Sequence, residues 1–401
     1  MRKITLFLCA MMVSSVLVAQ SESNPKLLWS STDYSWNTGN RSRAMVFYDG
    51  KLYLPDNNLA NSAVHVIDAA TGIEDDEATI VNEDFQSFGI AVDNAGHLLL
   101  PKNTGGLAPW ILSKVDIASG EVTTLNNGTP ISGYRTDYIA ILGDIENTEE
   151  PAYAIGASTN NPQIQAWEFL SGDLTETAPF VWVRPTTAVA ADIKWIDDTQ
   201  ALLTQQSRSP VIMTVDFTNP SEFIAEYEEI NITGTTIGGG AYFELEDTPY
   251  IVIPFGSSAQ YGAVGIFDIS DIENPVEIGE PTEAIGSTAN GAAHLGIEAI
   301  KVDDENVIIY VWSPNNGAAA YEFTTPTGEV GIKGFAPQAG IRVKRTAEGI
   351  EIPLNAVSTV ELYTVSGMLI DKAVVNGNYT RELTPGMYIV RVNGQAVKVV
   401  K

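Results

Sequence analysis

Residues 66–72 read VIDAATG, and residues 114–120 read KVDIASG. The same figure, an apolar strand end, an acid and then a turn, returns as AWEFLSG (166–172), TVDFTNP (214–220), IFDISDI (266–272) and AYEFTTPTG (320–328). The acids are Asp68, Asp116, Glu168, Asp216, Asp268 and Glu322, spaced by 48, 52, 48, 52 and 54 positions. A period near 50 residues is the signature of a repeat architecture. Ahead of each acid lie two apolar runs joined by a short polar turn. RAMVFYDGKLYLP (43–55), FGIAVDNAGHLLLP (88–101), ADIKWIDDTQALLT (191–204) and LGIEAIKVDDENVIIYVW (295–312) show it most plainly. Asp-Gly, Asn-Ala-Gly and acidic turns between alternating apolar stretches specify β-hairpins. A further strand follows each acid, as in EVTTLN (121–126) and FVWVRP (180–185). No helical period of 3.6 competes with this pattern.

Four antiparallel strands per repeat describe a propeller blade. One such sheet cannot bury both faces alone, so blades stack around an axis. The sixth repeat lacks its own fourth strand, because Glu322 runs quickly into TPTGEVGIKG. A spare strand, KLLWSS (26–31), precedes the first hairpin. The expected fold is therefore all-β: a six-bladed β-propeller over 20–330, closed by this N-terminal strand, then a linker (331–340) and a small C-terminal antiparallel β-sandwich (341–401). The period resembles that of secreted quinoprotein-like or lactonase-like propellers, a likeness of architecture alone. The repeated acids read as turn formers that bond nearby backbone N–H groups rather than as calcium ligands.

The chain opens with Arg2 and Lys3, then the apolar run ITLFLCAMMVSSVLVA ending at Ala19. That run is shorter than the roughly 20 residues of a comfortable membrane span. It reads as a secretory signal peptide (1–19) cleaved after Ala19. Cys9, the single cysteine, falls within it, too near the start for a lipoprotein anchor. The mature chain should then hold no disulfide, thiolate metal site or cysteine nucleophile. No later segment suits a transmembrane helix.

The net charge is −28. Residues 20–340 carry 12 Lys/Arg against 45 Asp/Glu, whereas 341–401 carry eight against five. So acidic a body is repelled by nucleic acid and by anionic membranes.

The basic tail alternates apolar and polar residues in IRVKRTAEGIEI, VELYTVSGMLIDKAVV and LTPGMYIVRVNGQAVKVVK, punctuated by Gly349, Gly367, Gly377, Gly386 and Gly394. VELYTVSGMLI followed by LTPGMYIVRV and a basic KVVK resembles the C-terminal sorting domain of the type IX secretion system. That family shows a strand ending in an aromatic, an x-x-x-G turn, then L-x-x-G-x-Y-x-V. Tyr363, Gly367, Leu383, Gly386, Tyr388 and Val390 fall on those positions. The resemblance covers about the last sixty residues. It implies a Bacteroidetes-type host and export through the periplasm. The type IX machinery would recognise the tail as a partner, and often remove it, before release or attachment at the cell surface. The alternative is an accessory sandwich that stays in place.

Chemistry is sparsely signposted. Only His65, His97 and His294 exist, in different repeats, with no H-x-x-x-H, H-E-x-x-H or carboxylate–histidine cluster in view, so no metal site or cofactor is expected. GNRSR and IGGGAY lack the strand–loop–helix context of a phosphate loop, and no G-x-S-x-G elbow occurs. In a propeller, loops leading into the inner strands and loops joining second to third strands share one face. All five arginines between 20 and 340, Arg41, Arg43, Arg135, Arg184 and Arg208, are expected there. Trp110, Tyr134, Tyr261, Trp312 and His294 are expected on the same side. Guanidinium forks pair with carboxylate or sulfate and aromatic rings stack on planar groups, which suits capture of an anionic glycan, peptide or small acid. The competing reading has these arginines neutralising carboxylates such as Asp137 and Asp192. A non-catalytic binding protein is preferred. The alternative is an extracellular polymer-degrading hydrolase or lyase, which would place two carboxylates about 5–10 Å apart on that face.

Overall fold

A computed structural model describes residues 25–83, 85–102, 111–127, 136–158, 162–175, 180–183, 191–219, 222–232, 237–325, 343–346, 349–354, 356–364, 369–384, 386–393 and 395–401. The chain divides into two compact units, Met1–Thr324 and Thr325–Lys401. The expected signal segment with Ala19, and the expected linker at 331–340, lie outside the described residues.

The first unit is a six-bladed β-propeller. Blade 1 comprises Val46–Tyr48, Lys51–Asp56, Ala63–Asp68 and Ile80–Val81; blade 2, Ala91–Val92, His97–Pro101, Ile111–Asp116 and Val122–Asn127. Blade 3 holds Thr136–Leu142, Ala152–Ser158 and Gln163–Leu170, with two short strands, Asp173–Leu174 and Phe180–Val183, sharing the outer place. Blade 4 is Ala191–Trp195, Gln200–Gln205, Val211–Val215 and Ile224–Glu229; blade 5, Ala241–Leu245, Thr248–Pro254, Val264–Asp268 and Val276–Ile278. Blade 6 takes Gly296–Lys301, Asn306–Ser313 and Gly317–Thr324 from late in the chain, and its fourth strand is Lys26–Ser31, antiparallel to Gly317–Thr324.

Local turn chemistry accounts for the hairpins. Asp49 and Gly50 both take positive φ (44° and 75°), as a two-residue I′-type turn between right-twisted strands requires. Glu246 and Asp247 do the same in blade 5 at φ 47° and 60°. The repeated acids cap their own turns. Asp68 Oδ1 accepts from Thr71 N (2.9 Å) and its hydroxyl (2.7 Å), Asp116 from Ser119 N (2.9 Å), Asp216 from Thr218 N (2.9 Å) and Asp268 from Ser270 N (2.9 Å). Backbone N–H bonds hold the Asp116 carboxyl below its ordinary range, and the Thr218 hydroxyl and backbone do so for Asp216.

Among the described residues, six apolar clusters lie between the blades, one at each junction. Leu52, Leu54 and Ile67 of blade 1 meet Tyr310, Trp312 and Ala320 of blade 6, while Val64 and Val66 meet Leu98 and Leu100 of blade 2. Equivalent clusters join blades 2 and 3, 3 and 4, 4 and 5, and 5 and 6. Each blade thus buries both faces against neighbours, which a lone sheet cannot do.

The second unit pairs two sheets. Lys344–Thr346, Gly349–Pro353 and Asn378–Glu382 form one; Leu369–Val375, Ser358–Thr364, Met387–Val392 and Gln395–Val400 form the other. Ile350, Ile352 and Tyr379 from the first sheet pack with Val360, Leu362 and Val390 from the second in one buried core. This is the antiparallel sandwich expected from the alternation. Among the described residues no helix is long and apolar enough to cross a membrane.

Candidate functional site

Inner strands alternate their side chains between the blade interfaces and the axis. In blade 4, Ile193 enters the interface core, and Asp192 and Lys194 on either side of it line an axial cavity. In blade 6, Leu295 and Ile297 are core residues, and His294, Gly296 and Glu298 line the same cavity. The cavity has a volume of about 180 Å³ and is walled elsewhere by residues such as Val46, Ile90 and Ala140.

Each axial carboxylate stands beside a nitrogen base. Lys194 Nζ donates to the Ile297 carbonyl (2.7 Å) and forms an ion pair with Glu298. Burial pushes the Glu298 carboxyl up, and the Lys194 ammonium opposes that shift. Asp192 Oδ2 lies 3.5 Å from His294 Nε2. His294 is 0% exposed, stacks on Tyr138 at 4.0 Å between centroids, and holds the Arg43 carbonyl through Nδ1 at 2.7 Å.

Arg43 runs from this carbonyl to a second carboxylate. Its Nη1 donates to Asp137 Oδ2 (3.3 Å), its Nε donates to Asn40 O (3.0 Å), and its guanidinium lies 3.7 Å above the Phe88 ring. Arg41 pairs with Asp56 (3.2 Å) and donates to Trp36 O (2.9 Å). Asp56 and Asp137 are each 2% exposed. These two arginines therefore neutralise buried carboxylates, as the competing reading has it, except that the aspartate beside Arg41 is Asp56. The partner of Asp192 is a histidine, not an arginine.

Two residues expected on the ligand face lie inside the protein. Trp312 is 0% exposed, and its indole donates to the Ser42 carbonyl (3.1 Å). His294 is buried at the top of the axis. Both follow from the inner-blade register, which turns these positions toward the neighbouring blade or the axis. Tyr261 sits half-buried in the 3-10 turn Ala259–Tyr261, and its carbonyl accepts from Ile285 N (3.0 Å). Arg208 is exposed in the turn after Gln200–Gln205. Trp110, Arg135 and Arg184 lie outside the described residues.

Some residues of this region carried no sequence signal. Trp36 stacks on His65 (3.8 Å) and on Trp312 (5.2 Å), and Glu74 accepts from Trp36 Nε1 (2.7 Å) while lying 2.9 Å from His65 Nδ1. A carboxylate–histidine cluster also forms where none was expected: ligand atoms of Asp93, His97 and Asp144 lie within 4.8 Å of one another. The blade 2 hairpin turn folds Asp93 back onto His97. Asp93 is already engaged, accepting from Ala95 N (3.0 Å), His97 N (2.7 Å), His97 Nδ1 (2.8 Å) and Ile145 N (3.1 Å). The cluster thus ties that turn to blade 3.

The glycines of IGGGAY serve close packing. A Cβ on Gly239 (φ 113°) would fall 2.2 Å from the Leu295 carbonyl oxygen, where the inner ends of blades 5 and 6 touch. Asparagines of the loop side bond one another. Asn315 Nδ2 donates to Asn40 Oδ1 (2.6 Å), and Asn316 bridges Thr288 and Ser313.

No family profile matches this sequence, and no curated protein matches it. Solved structures similar to this chain include the following three. Dihydro-haem d1 dehydrogenase NirN in complex with DHE is 11% identical over 84% of this chain and 68% of that one, with a TM-score of 0.39. BBS1N in complex with ARL6DN is 9% identical over 76% and 98%, at 0.41. TolB from Acinetobacter baumannii is 12% identical over 68% and 63%, at 0.40. Likenesses of this size say nothing about ligand or activity; the architecture rests on the order of the sheets, and by that order this chain is a β-propeller followed by a β-sandwich.

Proposed function

We propose that the chain is an exported, non-catalytic binding protein whose propeller captures an anionic glycan, peptide or small acid on its loop face. The observation that carries the binding reading is the pairing of the carboxylates. Asp56, Asp137 and Glu298 each have a cationic neighbour. A glycosidase-type mechanism needs two carboxyl groups free to shuttle a proton and attack. Arg41 and Arg43 are held by aspartates, and the other arginines expected on this face are Arg135, Arg184 and Arg208. Screening the full-length protein against charged glycan and peptide arrays, with Arg135→Ala, Arg184→Ala and Arg208→Ala beside the wild type, tests this. Unchanged capture by the triple variant, or release of cleavage products from a captured polymer, would sink it.

Delivery is proposed to run through the type IX pathway, with residues 341–401 as the address. Support comes from the compactness of the matching residues. Val390 is buried, Leu383 packs against the same core, and Tyr388 Oη donates to Thr384 O (2.8 Å). Gly386 and Lys401 exchange both backbone bonds (2.9 and 2.8 Å). Tyr363 Oη donates to Glu361 (3.0 Å), two residues back on the same strand, while Gly367 lies outside the described residues. Deleting 341–401 should leave the protein in the periplasm of a type IX-competent host; undiminished surface or medium yield would refute the assignment.

A further inference from the structure

The axial cavity holds a chemical imbalance. His294 Nδ1 lies 2.7 Å from the Arg43 carbonyl oxygen, an atom that only accepts. The proton of the neutral ring therefore sits on Nδ1, and Nε2 presents a lone pair. That nitrogen is buried without a hydrogen-bond partner, and 3.5 Å away is another acceptor, Asp192 Oδ2. The other Asp192 oxygen accepts from Ile193 N (3.0 Å). The nearby ammonium of Lys194 is engaged by Ile297 O and Glu298. Two acceptors thus face each other with no donor between them.

Charge points the same way. Lys194 and Glu298 pair with each other, which leaves the Asp192 carboxylate with the His294 imidazole beside it. A buried acceptor without a donor is costly, and a buried carboxylate more so. The rest of the wall is largely apolar, with Val46, Ile90 and Ala140 among its residues, and it also carries the Tyr138 ring and the Trp195 indole. At about 180 Å³ it is close in size to the roughly 150 Å³ cavity that accepts a benzene molecule.

We infer that this cavity binds a small organic monocation, a primary alkylammonium whose N–H groups are shared by Asp192 Oδ2 and His294 Nε2 and whose carbon chain lies on the apolar wall. A primary ammonium brings three donors and one positive charge, matching both deficits. The volume suits a chain of about four to six carbons.

The test uses full-length protein at about pH 8, above the ordinary imidazole range. Calorimetric titration compares n-pentylammonium with n-pentanol and pentanoate, and side-chain 15N spectra follow the three histidines. Saturable binding of pentylammonium is expected, about tenfold or more tighter than pentanol, with none for pentanoate. One histidine Nε2 signal should move from a free lone pair toward a hydrogen-bonded one. Asp192→Asn removes the charge and gives Nε2 an internal amide donor, so it should weaken pentylammonium about tenfold or more while the ring stays folded by circular dichroism. Should that variant not fold, the wild-type 15N shift decides. Equal affinity for pentanol and pentylammonium, undiminished binding by Asp192→Asn, or unmoved Nε2 signals at about 10 mM pentylammonium would overturn the inference.

Discussion

Replacing Trp29 by alanine should loosen the ring at one place. Trp29 belongs to the N-terminal strand of blade 6, yet its side chain reaches blade 1. Its indole donates to Ala69 O (2.9 Å), and its ring covers Gly72 so closely that a Cβ there would meet it at 2.5 Å. It also packs with Tyr310 at 6.4 Å between centroids. The residue is half-buried, so about 100 Å² of indole kept from water at about 25 cal/mol/Å² gives about 2.5 kcal/mol. The hydrogen bond adds about 1 kcal/mol, for a total of about 3.5 kcal/mol. In a unit of this size that is a fall of roughly 6 °C in Tm. Trp29→Phe, which keeps the ring and loses the bond, should cost about 1 kcal/mol. Leu28→Ala on the same strand is the control: the side chain is exposed and the change should stay within about 0.5 kcal/mol. Thermal melting and denaturant unfolding of the full chain give the stabilities. Amide exchange at Ala318–Tyr321, which pair with Leu27–Ser31, reports whether the outer strand detaches. A Trp29→Ala protein that melts with Leu28→Ala and keeps those amides protected would refute the idea that this strand fastens blade 6 to blade 1.

Other substitutions probe separate features. Gly89→Ala would place a Cβ 1.9 Å from the Asp137 carbonyl, a backbone atom that cannot step aside, and should cost at least about 3 kcal/mol in denaturant unfolding. Gly120→Ala, with open space around it but φ at 72°, should cost only about 1 kcal/mol. Arg41→Met leaves the buried Asp56 carboxylate without its guanidinium and should lose about 3–5 kcal/mol, part of it regained when Asp56→Asn is added. Asp75, Asp116, Asp216 and Asp303 all have carboxyls held below their ordinary value, Asp75 chiefly by the Lys51 ammonium and the others by turn N–H and side-chain donors. Folded values below the unfolded value of 3.8 mean that this stability is complete above it and is lost as pH falls through the folded values. Melting across about pH 2–6 should therefore show a steep acid limb, flattened in Asp116→Asn/Asp216→Asn; an unchanged limb would count against the turn bonds.

The legible features are local. Asp68 bonds Thr71, Asp216 bonds Thr218, and Asp49-Gly50 turns a hairpin; each acts across two to four residues, so the residue types and their spacing record it. The six repeats and the alternation of the tail follow from the same short-range rules. Even the unpaired KLLWSS could be read, because a sixth repeat lacking one strand leaves an edge to fill.

The site was less legible, for a reason of distance along the chain. Arg43 and Asp137 are 94 residues apart, Arg43 and His294 are 251, and Ser42 and Trp312 are 270. No turn propensity or period encodes such meetings. They arise when the ring brings inner strands of different blades together, and the register of each strand then decides which side chain faces the axis. Trp312 and His294 stand near the loop face in sequence order but inside the protein in space. Trp36 and Glu74, unremarkable in sequence, meet around His65. By itself the sequence determined the blade, the number of blades and a separate sandwich after them, because those depend on local chemistry repeated at a fixed period. Only the tertiary structure decided which arginines are already neutralised and that Asp192 and His294 face one another across the axis, because burial and charge pairing there are properties of the assembled ring.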